Sequence, residues 1–248
     1  MIELPNAFDT YLIPGTHILR NLVGATTAKE LEAAENDFVS IRILELQSAP
    51  PKAQGTLEQL QWIHHQLFQD IYDWAGHIRT VDIAKGNSQV FQPLAVFDMG
   101  VQYCERTLAE DHLLQNMDRT TFIHRLSANY DNFNILHPFR EGNGRAQRLF
   151  WDLIAHDAGW RLDWSQISKQ ENDNASQIAR QTADETALIT MFSRVVKTPE
   201  EYESETTTNI VAHLQDAGYT TLPNVYRYLS PAQIDDELHR DIYRRMSN

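Results

Sequence analysis

Between positions 137 and 148 the chain reads His-Pro-Phe-Arg-Glu-Gly-Asn-Gly-Arg-Ala-Gln-Arg, and those residue types assemble a phosphate site. Gly142 and Gly144 around Asn143 let successive backbone N–H groups turn inward as an anion-binding nest, and a helix that starts there adds the positive end of its dipole. Arg145 and Arg148, three apart, share a helical face one turn in, where guanidinium forks can hold outer phosphates. Glu141 precedes the nest and offers a hard oxygen to Mg²⁺ bridging those phosphates. An imidazole ordinarily titrates at about pH 6.5, which suits His137 to taking a proton from an attacking hydroxyl. Phe139 alternates with His137 and is expected to point into the core, pinning the loop. Taken singly these residues have plainer readings: a turn, an exposed acid, an arginine paired with Asp152 four residues on. Their conjunction in one loop-helix unit carries the chemistry.

The elements that must position this unit are mostly helical. Thr27 and Glu30 are spaced as a capping box, and Leu31, Ala34, Phe38 and Ile41 follow at steps of three and four, which predicts a helix to about Gln47. Pro50 and Pro51 stop it. Thr56 and Gln59 open a second, with Leu57, Leu60, Ile63, Leu67, Ile71 and Trp74 on one face, ending near Gly76. Between Gly76 and Pro93 the period changes to two, and a hairpin over Val81–Phe91 is expected as the one β element. Its exposed edge, with Val81, Ile83 and Val90, could accept an extended segment of another protein by strand addition, with Lys85 and Gly86 at the tip near nucleotide or target. Helices follow with Phe97, Val101, Cys104 and Leu108, and with Phe122, Leu126, Tyr130 and Phe133. The motif helix buries Leu149, Phe150, Leu153 and Ile154 and closes at Gly159. Two more helical stretches cover about 165–179 and 184–196.

Composition limits the function classes. The 248 residues carry a formal charge of −13, so bulk electrostatics disfavours nucleic acid as a partner and any nucleotide must be gripped by a concentrated site. Ten Gly and nine Pro are few for turn-rich β architecture. Cys104 is the only cysteine, which excludes a disulfide framework and a thiolate metal cluster and fits a reducing cytoplasm. The amino terminus lacks a signal-peptide pattern, and no apolar run is long enough for a membrane span. At Thr198 the composition turns acidic and polar, dividing residues 1–197 from an acidic, helical extension over 198–248, which holds nine Asp/Glu against four Lys/Arg.

The string from His137 to Arg148 resembles the Fic family motif HxFx(D/E)GNGRxxR without a departure. The stretch Ile63 to Arg79, with Trp74-Ala75-Gly76 and then Val81-Asp82-Ile83, is similar to the helix that leads into the Fic flap, and the likeness spans about residues 10–197. The resemblance implies an all-α helical bundle with a short β-hairpin flap and transfer of AMP from ATP to a Tyr, Thr or Ser hydroxyl of a target protein. By position it makes His137 the base and Glu141 the Mg²⁺ ligand. It makes Gly142, Asn143 and Gly144 the phosphate cradle, with Arg145 and Arg148 on the β and γ phosphates. Many relatives carry an inhibitory helix of pattern (S/T)xxxE(G/N). Here Glu35-Asn36 is preceded by Leu31, and Glu171-Asn172 by Ile167, so neither fits. The chain therefore resembles the class inhibited by a separate small antitoxin, to which Tyr11–Thr16 is also similar, and whose implied targets are DNA gyrase and topoisomerase IV. Two other readings compete: a Doc-like phosphotransferase, whose relatives depart from the GNGRxxR half of the motif, and a silent interaction module, which would be expected to lose the histidine or an arginine. No GxxxxGK(S/T) or HExxH is present, and zinc is not expected.

Overall fold

A computed structural model describes residues 9–84 and 90–204. Its main elements are α1 (Ala28–Ser48), α2 (Leu57–Phe68), α3 (Phe97–Glu110), α4 (Arg119–Leu136), α5 (Asn143–Asp157), β1 (Arg161–Leu162), α6 (Lys169–Thr182), α7 (Thr186–Val195) and β2 (Val196–Lys197), joined in places by short 3-10 turns. Helix starts follow local chemistry. Thr27 and Glu30 form the capping box on α1, Thr56 caps α2, Asp118 caps α4 and Ser168 caps α6, each side-chain oxygen meeting an N–H that has no intrahelical partner.

The core lies where α2, α4 and α5 meet. Leu60, Ile63, Leu67, Phe122, Phe133, Phe150, Trp151 and Ile154 are all fully buried there. Helix α2 packs between α1 and α5, while α4 rests on α3, α6 and α7. This brackets α5, the motif helix, with buried apolar side chains on both flanks, so its N-terminus is held rigidly at the surface.

Two local expectations are revised. Helix α2 ends at Phe68 rather than near Gly76, because the chain breaks into successive turns (Ile71 N–H to Phe68 carbonyl, Ala75 N–H to Tyr72 carbonyl) and folds back over its own helix. Gly76 permits this: its φ is +82°, and a β-carbon there would stand 2.8 Å from His65 Cβ. The hairpin is also not the one β element. Strands β1 and β2 pair antiparallel, Arg161 with Lys197 and Leu162 with Val196, and two residues each are too short to show a period in sequence. Of the hairpin itself the described residues show an antiparallel bridge between Ala84 and Val90 and the Phe91 N–H donating to the Ile83 carbonyl at 3.1 Å. Residues 199–204 continue in helix; the remainder of the acidic extension lies outside the described residues.

Candidate functional site

The site is the junction of α4, the loop 137–142 and α5. His137 ends α4 in the left-handed region, with φ 44°. A β-carbon-bearing residue adopts that conformation only when its surroundings hold it there. The hold is Arg79, whose side chain is fully buried. Its Nε donates to the His137 carbonyl at 3.0 Å and its Nη1 to the Val81 carbonyl at 2.7 Å, while Nη2 donates to the Gln92 carbonyl. One guanidinium thus ties both roots of the hairpin to the backbone of His137. The His137 ring lies 3.7 Å from that of Phe91, nearly parallel at 12°, and the Arg180 guanidinium covers Phe91 at 4.6 Å. A cation, a phenyl ring and the imidazole form one stack.

The loop is pinned from below. Phe139 is fully buried and stacks on His64 with ring centroids 3.8 Å apart. Asn143 is buried and turns its amide back on the loop: Oδ1 accepts from the Phe139 N–H at 2.9 Å, and Nδ2 donates to the Phe139 carbonyl at 2.7 Å. The Asn143 side chain therefore shapes the loop, leaving its backbone N–H for any anion. His64 braces the same turn. Its Nδ1 accepts from the Gly76 N–H at 2.8 Å, so the proton sits on Nε2, 3.0 Å from the Glu141 carbonyl. Burial pushes this imidazole down to about 3, partly opposed by the Glu141 carbonyl, and it stays neutral at physiological pH.

Helix α5 starts from Gly142, which has φ +81° and supplies no side-chain cap. The N–H groups of Asn143, Gly144 and Arg145 then have no intrahelical acceptor. Gly144 is exposed, and a β-carbon placed on it would meet nothing within 4 Å. Packing therefore does not demand glycine here; close approach of an anion to the helix end would.

The two motif arginines share the helix but lean on different neighbours. The Arg145 guanidinium lies 4.7 Å above the Phe68 ring and pairs with Glu35 Oε2 at 2.5 Å, with Glu141 Oε1 at 3.6 Å. The Arg148 guanidinium covers Trp164 at 5.7 Å, and the indole N–H of Trp164 donates to Asp152 at 2.8 Å. Burial raises the Asp152 carboxyl to about 7, while Trp164 and Arg148 pull it back. Trp164 thus touches both residues, Arg148 through its ring face and Asp152 through its N–H.

Glu141 has a half-exposed side chain and accepts from the Gly142 N–H at 2.9 Å. No group of three or more His, Cys, Asp or Glu suited to a metal occurs among the described residues. A lone carboxylate beside an anion nest fits Mg²⁺, which characteristically takes one or two carboxylates and fills its octahedron from phosphates and water. Of the hairpin residues, Val81 and Ile83 are half-buried and Val90 is 52% exposed; Lys85 and Gly86 lie outside the described residues. The residues that spacing did not assign a role are Arg79, His64, Phe91, Arg180 and Glu35. His64, four after Leu60 and three before Leu67, and Glu35, midway between Leu31 and Val39, could have been flagged as polar residues on apolar helix faces; Arg79, Phe91 and Arg180 carry no local signal.

A family model described as Fic/DOC matches residues 54–155. The chain is 37% identical over 195 residues to the probable protein adenylyltransferase Fic of Escherichia coli K12, covering 79% of this chain and 96% of that protein. It is 36% identical over 168 residues to the protein adenylyltransferase VbhT of Bartonella schoenbuchensis, covering 68% of this chain and 35% of the relative. In structure it is similar to BepC from Bartonella tribocorum, crystallised with bound AMPPNP. That match has TM-score 0.71 and 25% identity, and covers 76% of this chain and 96% of the other. The chain belongs to the Fic/DOC family. Its class of enzyme is the protein adenylyltransferase. No helix among the described residues is long and apolar enough to cross a membrane.

Proposed function

We propose that the chain transfers AMP from ATP to a Tyr, Thr or Ser hydroxyl of a target protein, with His137 as base. The observation that supports this reading is the uncapped N-terminus of α5 on the loop that follows His137: three N–H donors without an intrahelical acceptor, an open Gly144 and a half-exposed Glu141, with Arg145 and Arg148 in the first two turns of the helix. In this reading the hydroxyl oxygen attacks the α phosphorus and a new P–O bond forms. The bond to the β-phosphate bridging oxygen breaks, and the hydroxyl proton passes to His137. His137 Nδ1 lies 3.4 Å from the Asn134 carbonyl, a contact that needs a proton on Nδ1 and supports Nε2 as the base in this reading. The departing pyrophosphate gains negative charge against the Gly142–Gly144 backbone, Arg145 and Arg148. Mg²⁺ held by Glu141 would neutralise charge on the same oxygens.

The hairpin residues Val81, Ile83 and Val90 would present the target segment as an added strand. The absence of (S/T)xxxE(G/N) from the sequence supports a toxin restrained in trans by a small antitoxin, acting in the cytoplasm on DNA gyrase or topoisomerase IV; the choice of target rests on family analogy alone. The test is isotopic. Incubated with Mg²⁺ and ATP, the protein should place label from the α phosphate, and none from the γ phosphate, on its target or on itself. Label from the γ position alone would replace adenylyl transfer by phosphotransfer, and no label from either would favour a silent interaction module.

A further inference from the structure

Helix α1 buries Leu31, Glu35 and Val39, positions i, i+4 and i+8 of one face. The middle one is a carboxylate. Glu35 is 8% exposed, and both its oxygens are engaged: Oε1 accepts the Tyr72 hydroxyl, and Oε2 pairs with Arg145 Nη2 at 2.5 Å. An ionised side chain in an apolar helix stripe costs desolvation that is recovered only through such partners.

We propose that Glu35 is a positioning residue for Arg145, holding the guanidinium on the face of Phe68 so that it meets phosphate already ordered. The proposal rests on the nucleotide site described above. Arg145 is a long side chain with large rotamer freedom, and ordering it during binding would subtract from affinity. Phe68 below it at 4.7 Å and Glu35 beside it remove that freedom beforehand. The alternative is that Glu35 masks Arg145 from phosphate. Two features argue against a mask. A guanidinium has five N–H donors, so a carboxylate on Nη2 leaves others for phosphate. The carboxylate is also fixed from behind by Tyr72, whereas a mask must be able to leave. The Tyr72 hydroxyl stays protonated, because burial raises its pKa and Glu35 adds to the rise.

The test uses the full chain, with Mg²⁺·AMPPNP affinity by calorimetry and kcat and KM of AMP transfer measured separately. Glu35→Gln keeps the volume and removes the charge. It should weaken Mg²⁺·AMPPNP binding by about three- to tenfold, the range expected for ordering one rotamer-rich side chain. Set in an Arg145→Ala background it should weaken binding no further. Tyr72→Phe should shift binding in the same direction by less, which provides a second measurement if Glu35→Gln folds poorly. Tighter binding or faster turnover in Glu35→Gln would mean that Glu35 masks Arg145, and would overturn the proposal. An equal loss with and without Arg145 would make Glu35 a purely structural residue and overturn it too. The binding arm separates this proposal from the reaction: wild type that binds Mg²⁺·AMPPNP but transfers γ label would refute adenylyl transfer and leave Glu35's role standing. Wild type that binds no nucleotide would refute both.

Discussion

Gly142 and Gly144 stand two residues apart at the head of α5, and alanine should have opposite consequences at each. Gly142 has φ +81°, and an added β-carbon would sit 2.5 Å from Phe68 Cε2 and Cζ and 3.1 Å from His64 Nε2. Left-handed backbone costs a residue with a β-carbon about 1–2 kcal/mol. Phe68 and His64 are fully buried and cannot swing aside, so the overpacking adds about 1–3 kcal/mol. Gly142→Ala should therefore lose about 2–5 kcal/mol of stability, lowering Tm by roughly 5–15 °C in a chain of this size. Gly144 has ordinary helical backbone and open space around it, so Gly144→Ala should leave stability unchanged or raise it by up to about 1 kcal/mol. Its methyl group would stand where phosphate approaches the helix end, and affinity for Mg²⁺·AMPPNP should fall by about tenfold, or about 1.4 kcal/mol. Thermal unfolding and calorimetric titration read the two effects independently. A Gly142→Ala protein within about 0.5 kcal/mol of wild type would refute the packing argument, that being the range of a neutral surface change. A Gly144→Ala protein that binds nucleotide as wild type does would remove the nest from the phosphate site.

His137→Ala should lower the transfer rate by about 10²- to 10⁴-fold with the fold intact, and an unchanged single-turnover rate would remove His137 from the mechanism. Arg79→Met strips the donors from three carbonyls, those of His137, Val81 and Gln92, and should cost about 3 kcal/mol or more in urea unfolding; a loss below about 1 kcal/mol would show that the hairpin roots hold without it. Asp152 carries a pH dependence of definite sign. Its folded carboxyl titrates at about 7 against about 3.9 unfolded, so the folded chain keeps a proton that the unfolded one releases. Its contribution is fully present below about pH 4 and is lost as pH rises through about 7. Asp152→Asn preserves an acceptor for Trp164; relative to wild type it should change little at pH 4.5 and gain about 2–4 kcal/mol at pH 8, a range reduced because Asp152 keeps partial solvent contact. A mutant-minus-wild-type difference that is flat from pH 4.5 to 8 would sink the assignment.

How much of this was legible beforehand depended on the range of the forces involved. The start of α1 was readable because Thr27 and Glu30 satisfy each other's N–H groups within four residues, and the head of α5 because Gly142 allows a left-handed turn that few other residues adopt. The end of α2 was not. Its apolar period continues through Ile71 and Trp74, yet the chain leaves the helix at Phe68 so that Tyr72 and Trp74 can stack at 4.2 Å and Gly76 can reach His64; tertiary packing overrides periodicity there.

By itself the sequence determined the helical class and the glycine-bounded start of α5 that is proposed to receive phosphate, because turns, caps and dipoles are built from neighbours in the chain. Only the tertiary structure decided what holds them. Arg79 reaches across 58 positions to the carbonyl of His137, and Glu35 across 110 to Arg145. His64 reaches across 77 to the turn before the nest. Such contacts have no spacing to be read, since they form only when the helices and the loops between them are packed against one another and a buried charge or imidazole must find its partner wherever the fold has put it.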